Sequence, residues 1–120
     1  MAKILIVDDD IMITTLMQSL VSIDGHEAVV VNDSTEAIDT ARTVKPDLIT
    51  LDLMMPHLSG FELCDLLRAD THFANIPIII ISAKEDSASQ EKALALGANR
   101  YLKKPFNIDE FLGTIRELVA

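Results

Sequence analysis

The chain has 120 residues, of which 49% are hydrophobic and one is cysteine, and its formal net charge is −9. This length suits one domain, the apolar content excludes a disordered composition, and the single Cys64 excludes an intrachain disulfide. The negative charge repels phosphate backbones, so we predict no direct binding of nucleic acid, and no apolar run is long enough for membrane insertion. Because no signal peptide precedes the first strand-like run, we expect a cytoplasmic domain spanning residues 1–120.

Five short runs rich in β-branched residues predict strands, and they alternate with five helical patterns along the chain. The strand candidates, in chain order, are Lys3 to Val7, Ala28 to Val31, Leu48 to Leu51, Ile78 to Ile81, and Tyr101 to Leu102. The first, third and fourth runs are almost entirely apolar. This composition is typical of strands that are buried on both faces of a parallel sheet.

Each strand candidate is followed by a helical pattern. The predicted helices run from about Ile11 to Ile23, from about Thr35 to Val44, from near Gly60, from about Ser87 to Leu96, and from Asn107 onward. Asp10 before the first pattern and Asp33 or Ser34 before the second are suited to N-caps, and Glu110 is spaced for a capping box with Asn107.

Five strand–helix units in this length predict an α/β fold with a doubly wound, open parallel sheet. Right-handed crossovers then place helices on both faces of the sheet. Ligands of such sheets bind at the carboxyl ends of the strands, so the residues that end each strand are the candidate functional residues.

Charged and polar side chains end four of the five predicted strands. The first strand ends in Asp8 to Asp10, the third in Asp52, the fourth in Ser82 and the fifth in Lys104. If the sheet is correct, these residues line one cleft. Asp8, Asp9 and Asp52 carry three negative charges, and Lys104 compensates one of them.

A divalent cation would neutralise the remaining charge, and oxygen ligands of this kind suit Mg²⁺. A carboxylate, Mg²⁺, a hydroxyl group and a lysine are also the groups that phosphoryl transfer requires. The pattern therefore predicts a carboxylate that becomes an acyl phosphate.

Four segments of the chain together resemble a known family. These are VDDD in Val7 to Asp10, LDLMMPHLSG in Leu51 to Gly60, ISA in Ile81 to Ala83, and KPF in Lys104 to Phe106. In order and spacing they resemble the landmarks of response-regulator receiver domains of two-component signal transduction, and the resemblance covers essentially the whole chain. It implies a flavodoxin-like (βα)5 fold with strand order 2-1-3-4-5.

The resemblance implies a phosphoacceptor and a metal site. Asp52 is expected to accept the phosphoryl group and also to bind Mg²⁺. Asp8 and Asp9 form the acidic pair, with Asp9 expected to bind the metal directly and Asp8 mainly through water. Met54 is expected to contribute its backbone carbonyl.

The resemblance also implies the residues that respond to phosphorylation. Ser82 is the switch hydroxyl, and Lys104 contacts the phosphoryl group, with a cis bond expected between Lys104 and Pro105. Tyr101 occupies the aromatic switch position, although an edge-strand aromatic packed on a helix would explain it nearly as well.

The implied function is a phosphorylation-controlled switch rather than an enzyme acting on other molecules. The donor would be a histidine kinase or a histidine phosphotransfer protein. The output would be a change in the face formed by the fourth helix, the fifth strand and the fifth helix, read by a downstream protein or an output domain. Whether the chain is a stand-alone regulator or part of a longer protein, and whether phosphorylation drives dimerisation, stays open.

Three alternatives to this hypothesis fit the residues less well. A degenerate receiver is disfavoured because all the expected side chains are present. An aspartyl phosphatase would need a second carboxylate two residues after Asp52, where Met54 stands. A flavodoxin-type cofactor carrier would need a Gly, Ser and Thr-rich turn where Asp8 to Asp10 stand. Because neither Met54 nor Lys84 can activate water as a base, we expect a long-lived phosphoryl group.

The first predicted helix is unusual because it has no charged residue between Ile11 and Ile23. Its apolar positions cover about half of the helical circumference, which is wider than the roughly 100° stripe that a core requires. Two interpretations stay open. The helix either packs deeply against the sheet, or its edge near Met12 docks the helical phosphodonor protein.

Overall fold

A five-stranded parallel sheet organises the chain, and its strands lie in the order β2-β1-β3-β4-β5. The structure is a computed structural model that describes residues 2–120. The strands are β1 (Lys3–Val7), β2 (Glu27–Val31), β3 (Leu48–Leu51), β4 (Ile78–Ser82) and β5 (Arg100–Lys103). The α-helices are α1 (Ile11–Ile23), α2 (Ala37–Val44), α3 (Gly60–Ala69), α4 (Ser87–Ala95) and α5 (Ile108–Val119). The predicted fold and strand order are confirmed.

The sheet has a separate hydrophobic core on each face, which explains why the three central strands are apolar. Side chains of β1, β3 and β4 point alternately into the two cores, and these strands are buried along nearly their whole length. One core contains Ile4, Ile6 and Phe111 and lies beneath α1 and α5, while the other contains Leu5 and Leu63 and includes residues from α2, α3 and α4. The edge strands β2 and β5 are more exposed.

Side-chain caps fix where several helices begin. The Asp10 carboxylate accepts hydrogen bonds from the backbone N–H groups of Met12 and Ile13 at 3.0 and 3.3 Å, as the sequence predicts for an N-cap of α1. The Asn107 side chain accepts a bond from Glu110 N–H at 3.0 Å, which is one half of the predicted capping box.

The start of the second helix differs from the prediction. A 3-10 turn covers Ser34–Glu36, and α2 itself begins at Ala37. Asp33 caps this turn by accepting bonds from both the backbone and the hydroxyl of Thr35, while the Ser34 hydroxyl donates to the carbonyl of Pro56 at 3.1 Å. These local bonds compete with the first α-helical turn.

Hydrogen-bond register places the ends of β1 and β3 side by side. Val7 pairs with Leu51, so the next residues, Asp8 and Asp52, follow neighbouring strands at the same level. Within residues 2–120, none of the helices combines the length and the apolar character that crossing a bilayer would need.

Candidate functional site at the carboxyl edge of the sheet

Three carboxylates converge where β1 and β3 end. Asp8, Asp9 and Asp52 each offer an oxygen, and these oxygens all lie within 4.8 Å of one another. Asp8 is 3% exposed and Asp52 is 7% exposed, whereas Asp9 is exposed to solvent. The sequence-predicted acidic residues are therefore brought together in one cluster.

Backbone hydrogen bonds fix the two buried carboxylates. The Asp8 N–H donates to the Val31 carbonyl and the Asp52 N–H donates to the Val7 carbonyl, each at 3.1 Å. These bonds continue the ladder by one residue beyond the strands. The Asp8 carboxylate also accepts a bond from the backbone N–H of Asp10 at 2.9 Å, which couples the cluster to the first turn of α1.

Gly60 is a site residue that the sequence analysis did not single out beyond its place in a motif. A Cβ atom at Gly60 would lie 2.2 Å from the Asp52 carbonyl oxygen, and the Gly60 N–H donates to the Leu53 carbonyl at 3.0 Å. The start of α3 thus packs against the backbone of the candidate phosphoacceptor. Only a residue without a side chain fits there.

Lys104 supplies the positive charge of the cluster. Its Nζ lies 2.6 Å from one oxygen of Asp8 and 3.6 Å from one oxygen of Asp52. The Lys104 backbone N–H donates to the Ser82 carbonyl at 2.9 Å, and the bond between Lys104 and Pro105 is cis. In this structure, the lysine is held mainly by Asp8.

The electrostatics of the cluster favour an additional cation. Burial and the neighbouring Asp8 charge raise the pKa of Asp52 from 3.8 to about 6, although Lys104 opposes this shift. Burial lowers the pKa of Lys104, but the hydrogen bond to Asp8 and the charge of Asp52 outweigh it, so that the net pKa is raised. With the three aspartates ionised and Lys104 protonated, two negative charges remain. A divalent cation with oxygen ligands fits this donor set.

A second group of predicted residues, Ser82 at the end of β4 and Tyr101 in β5, contacts the loop between β4 and α4. Ser82 is fully buried, and its hydroxyl oxygen accepts a bond from the Lys84 backbone N–H at 3.2 Å. The Tyr101 hydroxyl donates to the Lys84 carbonyl at 2.7 Å. Ser82 and Tyr101 therefore hold the same peptide segment from two sides.

The comparisons with known proteins agree with this geometry. The family model described as response regulator receiver domain matches residues 4–116. The chain belongs to the response regulator receiver family. The DNA-binding response regulator MtrA of Mycobacterium tuberculosis is 35% identical over 114 residues, which cover 95% of this chain and 49% of MtrA. The transcriptional regulatory protein PhoP of Bacillus subtilis is 38% identical over 117 residues, covering 98% of this chain and 48% of PhoP.

Solved receiver structures share the same fold along their whole length. The Francisella response regulator 1452 receiver domain superimposes with a TM-score of 0.93 at 34% identity, covering 99% of this chain and 97% of the other. The Vibrio cholerae chemotaxis protein CheY4 superimposes with a TM-score of 0.92 at 30% identity, covering 98% of each chain. By contrast, this chain spans about half the length of the curated relatives named above.

Helix α1 of this receiver domain presents apolar side chains to solvent beside the acidic cluster. Met12 is 83% exposed and Ile11 is 66% exposed, whereas Met17 and Val21 are buried against the sheet. Core packing therefore explains only one side of the apolar circumference. The exposed residues follow Asp10 directly, so they lie next to the site.

Met54 is a predicted site residue on the loop that follows β3. It lies two residues after Asp52, and its side chain is exposed. Its expected role as a carbonyl ligand stays a prediction.

Proposed function

We propose that this receiver domain accepts a phosphoryl group on Asp52 from a phosphohistidine of a histidine kinase or of a phosphotransfer protein. The observation that supports this most strongly is the cluster itself. A buried carboxylate lies within reach of two other carboxylates and of a lysine, at the edge of the sheet where such folds bind ligands.

The proposed nucleophile is a carboxylate oxygen of Asp52. Because the pKa of Asp52 is about 6, most molecules carry an ionised Asp52 at neutral pH, and this carboxylate can attack phosphorus. The bond from phosphorus to the donor imidazole nitrogen breaks, and its electron pair returns to that nitrogen. The new bond to the Asp52 oxygen makes an acyl phosphate.

Asp8, Asp9 and Asp52 would hold Mg²⁺, with Met54 contributing its backbone carbonyl. When bound there, Mg²⁺ supplies positive charge that offsets the carboxylates and the phosphoryl oxygens. The protein's own contribution is to hold the carboxylates at fixed positions through the backbone bonds of Asp8 and Asp52.

Two side chains would stabilise the phosphoryl oxygens. Lys104 Nζ is 3.6 Å from Asp52, so a small rotation away from Asp8 brings it to a phosphoryl oxygen. The Ser82 oxygen already accepts a bond from Lys84 N–H, which leaves the hydroxyl proton available for donation to the phosphoryl group.

The proposed output is a population shift in the face formed by α4, β5 and α5. When Ser82 turns toward the phosphoryl group, its bond to Lys84 changes. The hydrogen bond from the Tyr101 hydroxyl to the Lys84 carbonyl then changes as well. A downstream protein or an output domain would read this change.

We further propose that the apolar edge of α1 docks the helical phosphodonor. Ile11 and Met12 are exposed next to Asp9, at the rim of the acidic cluster in which a donor histidine must reach Asp52. The net charge of −9 disfavours direct contact between this 120-residue chain and DNA, even though relatives such as MtrA are named DNA-binding regulators. We place the domain in the cytoplasm.

The test is phosphoryl uptake from a small donor. The protein is incubated with acetyl phosphate and Mg²⁺ and its intact mass is measured, with Asp52→Asn as the matched control. A gain of one phosphoryl group that requires Mg²⁺ and Asp52 is the expected result. If acetyl phosphate and a phosphorylated donor protein both fail to transfer, the degenerate receiver becomes the better interpretation.

The lifetime of the acyl phosphate is a separate proposal. Neither Met54 nor Lys84 carries a side chain that can activate water for hydrolysis, so we expect the phosphoryl group to persist well beyond seconds. A time course of phosphate release after removal of the donor measures this. Complete decay within seconds would contradict it.

A further inference from the structure

The two ends of α4 are attached to the molecule in different ways. At the C-terminal end, Arg68 Nε of α3 donates to the Gly97 carbonyl at 3.0 Å, and the Cys64 thiol lies 3.7 Å from the Leu96 carbonyl. Gly97 has a φ of +112°, and a Cβ atom there would lie 2.7 Å from Cγ of Arg68. The arginine stem therefore packs directly on the backbone that follows α4.

The Arg68 guanidinium joins three further acceptors to this contact. Nη1 donates to the carbonyls of Phe73 and Ile76 at 2.7 Å each, and Nη2 donates to the side-chain oxygen of Asn99 at 2.9 Å. Four of its five N–H groups are thus used. We call Arg68 and these four acceptors the Arg68 clamp.

The clamp is also attached to the start of β4. The Asn99 side-chain oxygen accepts a bond from Ile78 N–H at 2.9 Å, and the Asn99 N–H donates to the Ile78 carbonyl at 2.8 Å. Burial lowers the pKa of Arg68, and no carboxylate in residues 2–120 forms an ion pair with it. A partly buried guanidinium that bonds only to neutral oxygens would lose those bonds at a cost if the segment moved.

The N-terminal end of α4 has no comparable attachment among the residues that the structure describes. Its cap is local, because the Asp86 carboxylate accepts a bond from Ser89 N–H at 2.9 Å. The loop before it is held through Lys84, which bonds to the Ser82 hydroxyl and to the Tyr101 hydroxyl. The proposed phosphorylation changes the hydrogen bonds of both hydroxyls.

We propose that the Arg68 clamp is the pivot of α4. Phosphorylation displaces the N-terminal end of the helix, while residues 96–99 stay fixed. This inference rests on the proposed switching function and adds to it the direction of the movement. An arginine is required because its planar fork fixes several acceptors at once, whereas a lysine ammonium is a flexible point charge.

Hydrogen exchange of backbone amides tests the pivot. In the unphosphorylated protein, the amide of Gln90, which bonds to the Asp86 carbonyl, should exchange at least ten-fold faster than the amides of Ala98 and Asn99, which bond to Ala93 and Ile78. Arg68→Lys keeps the charge and should raise the exchange of Ala98 and Asn99 at least ten-fold. Arg116→Lys, on α5 where the guanidinium bonds to Asp24, is the matched control and should leave these rates unchanged.

Samples treated with acetyl phosphate and Mg²⁺ give the second arm. In the wild-type protein, phosphorylation should change exchange at residues 84–90 and leave residues 96–99 unchanged, and Arg68→Lys should extend the change to residues 96–99. Equal exchange at both ends of α4, or an unchanged pattern in Arg68→Lys, overturns the pivot. If neither acetyl phosphate nor a phosphorylated donor protein gives a phosphoryl gain in intact mass, the proposed function fails, and the unphosphorylated arm alone decides the pivot. Should Arg68→Lys not fold, the wild-type comparison decides it.

Discussion

Replacing Asp52 with asparagine should stabilise the metal-free protein at neutral pH, although it removes the proposed phosphoacceptor. The carboxyl group of Asp52 is buried beside Asp8, and its pKa is about 6 in the folded protein against 3.8 for an unperturbed aspartate. Ionisation of this side chain is therefore less favourable in the folded protein than in the unfolded chain. Asparagine has nearly the same shape and carries no charge.

The size and pH dependence of the effect follow from proton linkage. At about 1.4 kcal/mol per pKa unit, the difference between 3.8 and about 6 corresponds to roughly 3 kcal/mol at most. Because the folded pKa is raised, the native protein binds more protons than the unfolded chain between about pH 4 and 6. The contribution of Asp52 to the free energy of unfolding therefore falls as the pH rises through that window. We expect Asp52→Asn to match the wild type near pH 4 and to be about 2 kcal/mol more stable above pH 7, since relaxation around Asp8 reduces the full value.

Urea unfolding measured from pH 4 to pH 8 in the presence of EDTA tests this. The difference between the two proteins is the relevant quantity, because other carboxylates with lowered pKa values, such as Asp70, contribute equally to both. Asp39→Asn, on the exposed surface of α2, is the control and should give a flat difference. Millimolar Mg²⁺ should stabilise the wild type more than Asp52→Asn, because the variant lacks one ligand. A difference that does not vary with pH, or a variant that is less stable at pH 7.5, would refute the reasoning.

Three further predictions concern stability and docking. Thr50→Val should raise the free energy of unfolding by about 1 kcal/mol in urea denaturation, because the buried Thr50 hydroxyl has no partner within residues 2–120; a loss of stability would contradict this. Gly113→Ala in α5 should stabilise the protein by about 0.5–1 kcal/mol, because the new Cβ atom would have no atom within 4 Å. Gly60→Ala should instead destabilise it by about 3 kcal/mol and lower phosphoryl uptake. Similar melting curves for the two variants would be inconsistent with the close packing at Gly60. Met12→Glu should slow transfer from a phosphorylated kinase at least ten-fold and leave uptake from acetyl phosphate unchanged. Ile23→Glu, at the other end of α1, is the control. Equal rates of transfer from the kinase to the two variants would argue against docking at this edge.

The fold is predictable because the central strands leave little choice. Leu48 to Leu51 and Ile78 to Ile81 are too short for helices and too apolar for edge strands, so they indicate a parallel sheet that is covered on both faces. The acidic cluster follows from the same logic, since the carboxyl ends of neighbouring parallel strands meet. The order of the strands in the sheet, which places β3 beside β1, then brings Asp8, Asp9 and Asp52 together.

Other features depend on contacts that residue type does not reveal. The close approach of Gly60 to Asp52 depends on the path of the intervening loop. The preference of Lys104 for Asp8 depends on a small difference in its distances to two nearby carboxylates. The Arg68 clamp is not predictable, because three of its four acceptors are backbone carbonyls, which every residue carries.

The aspartate triplet that ends β1 leaves no spare residue between the sheet and α1. Asp8 extends the strand ladder and receives the Asp10 N–H, Asp9 faces the solvent side of the cluster, and Asp10 caps the helix. An insertion of one residue here would break at least one of these assignments. Anyone who splits, permutes or fuses this domain to build a sensor should therefore leave the first junction intact and cut the chain elsewhere.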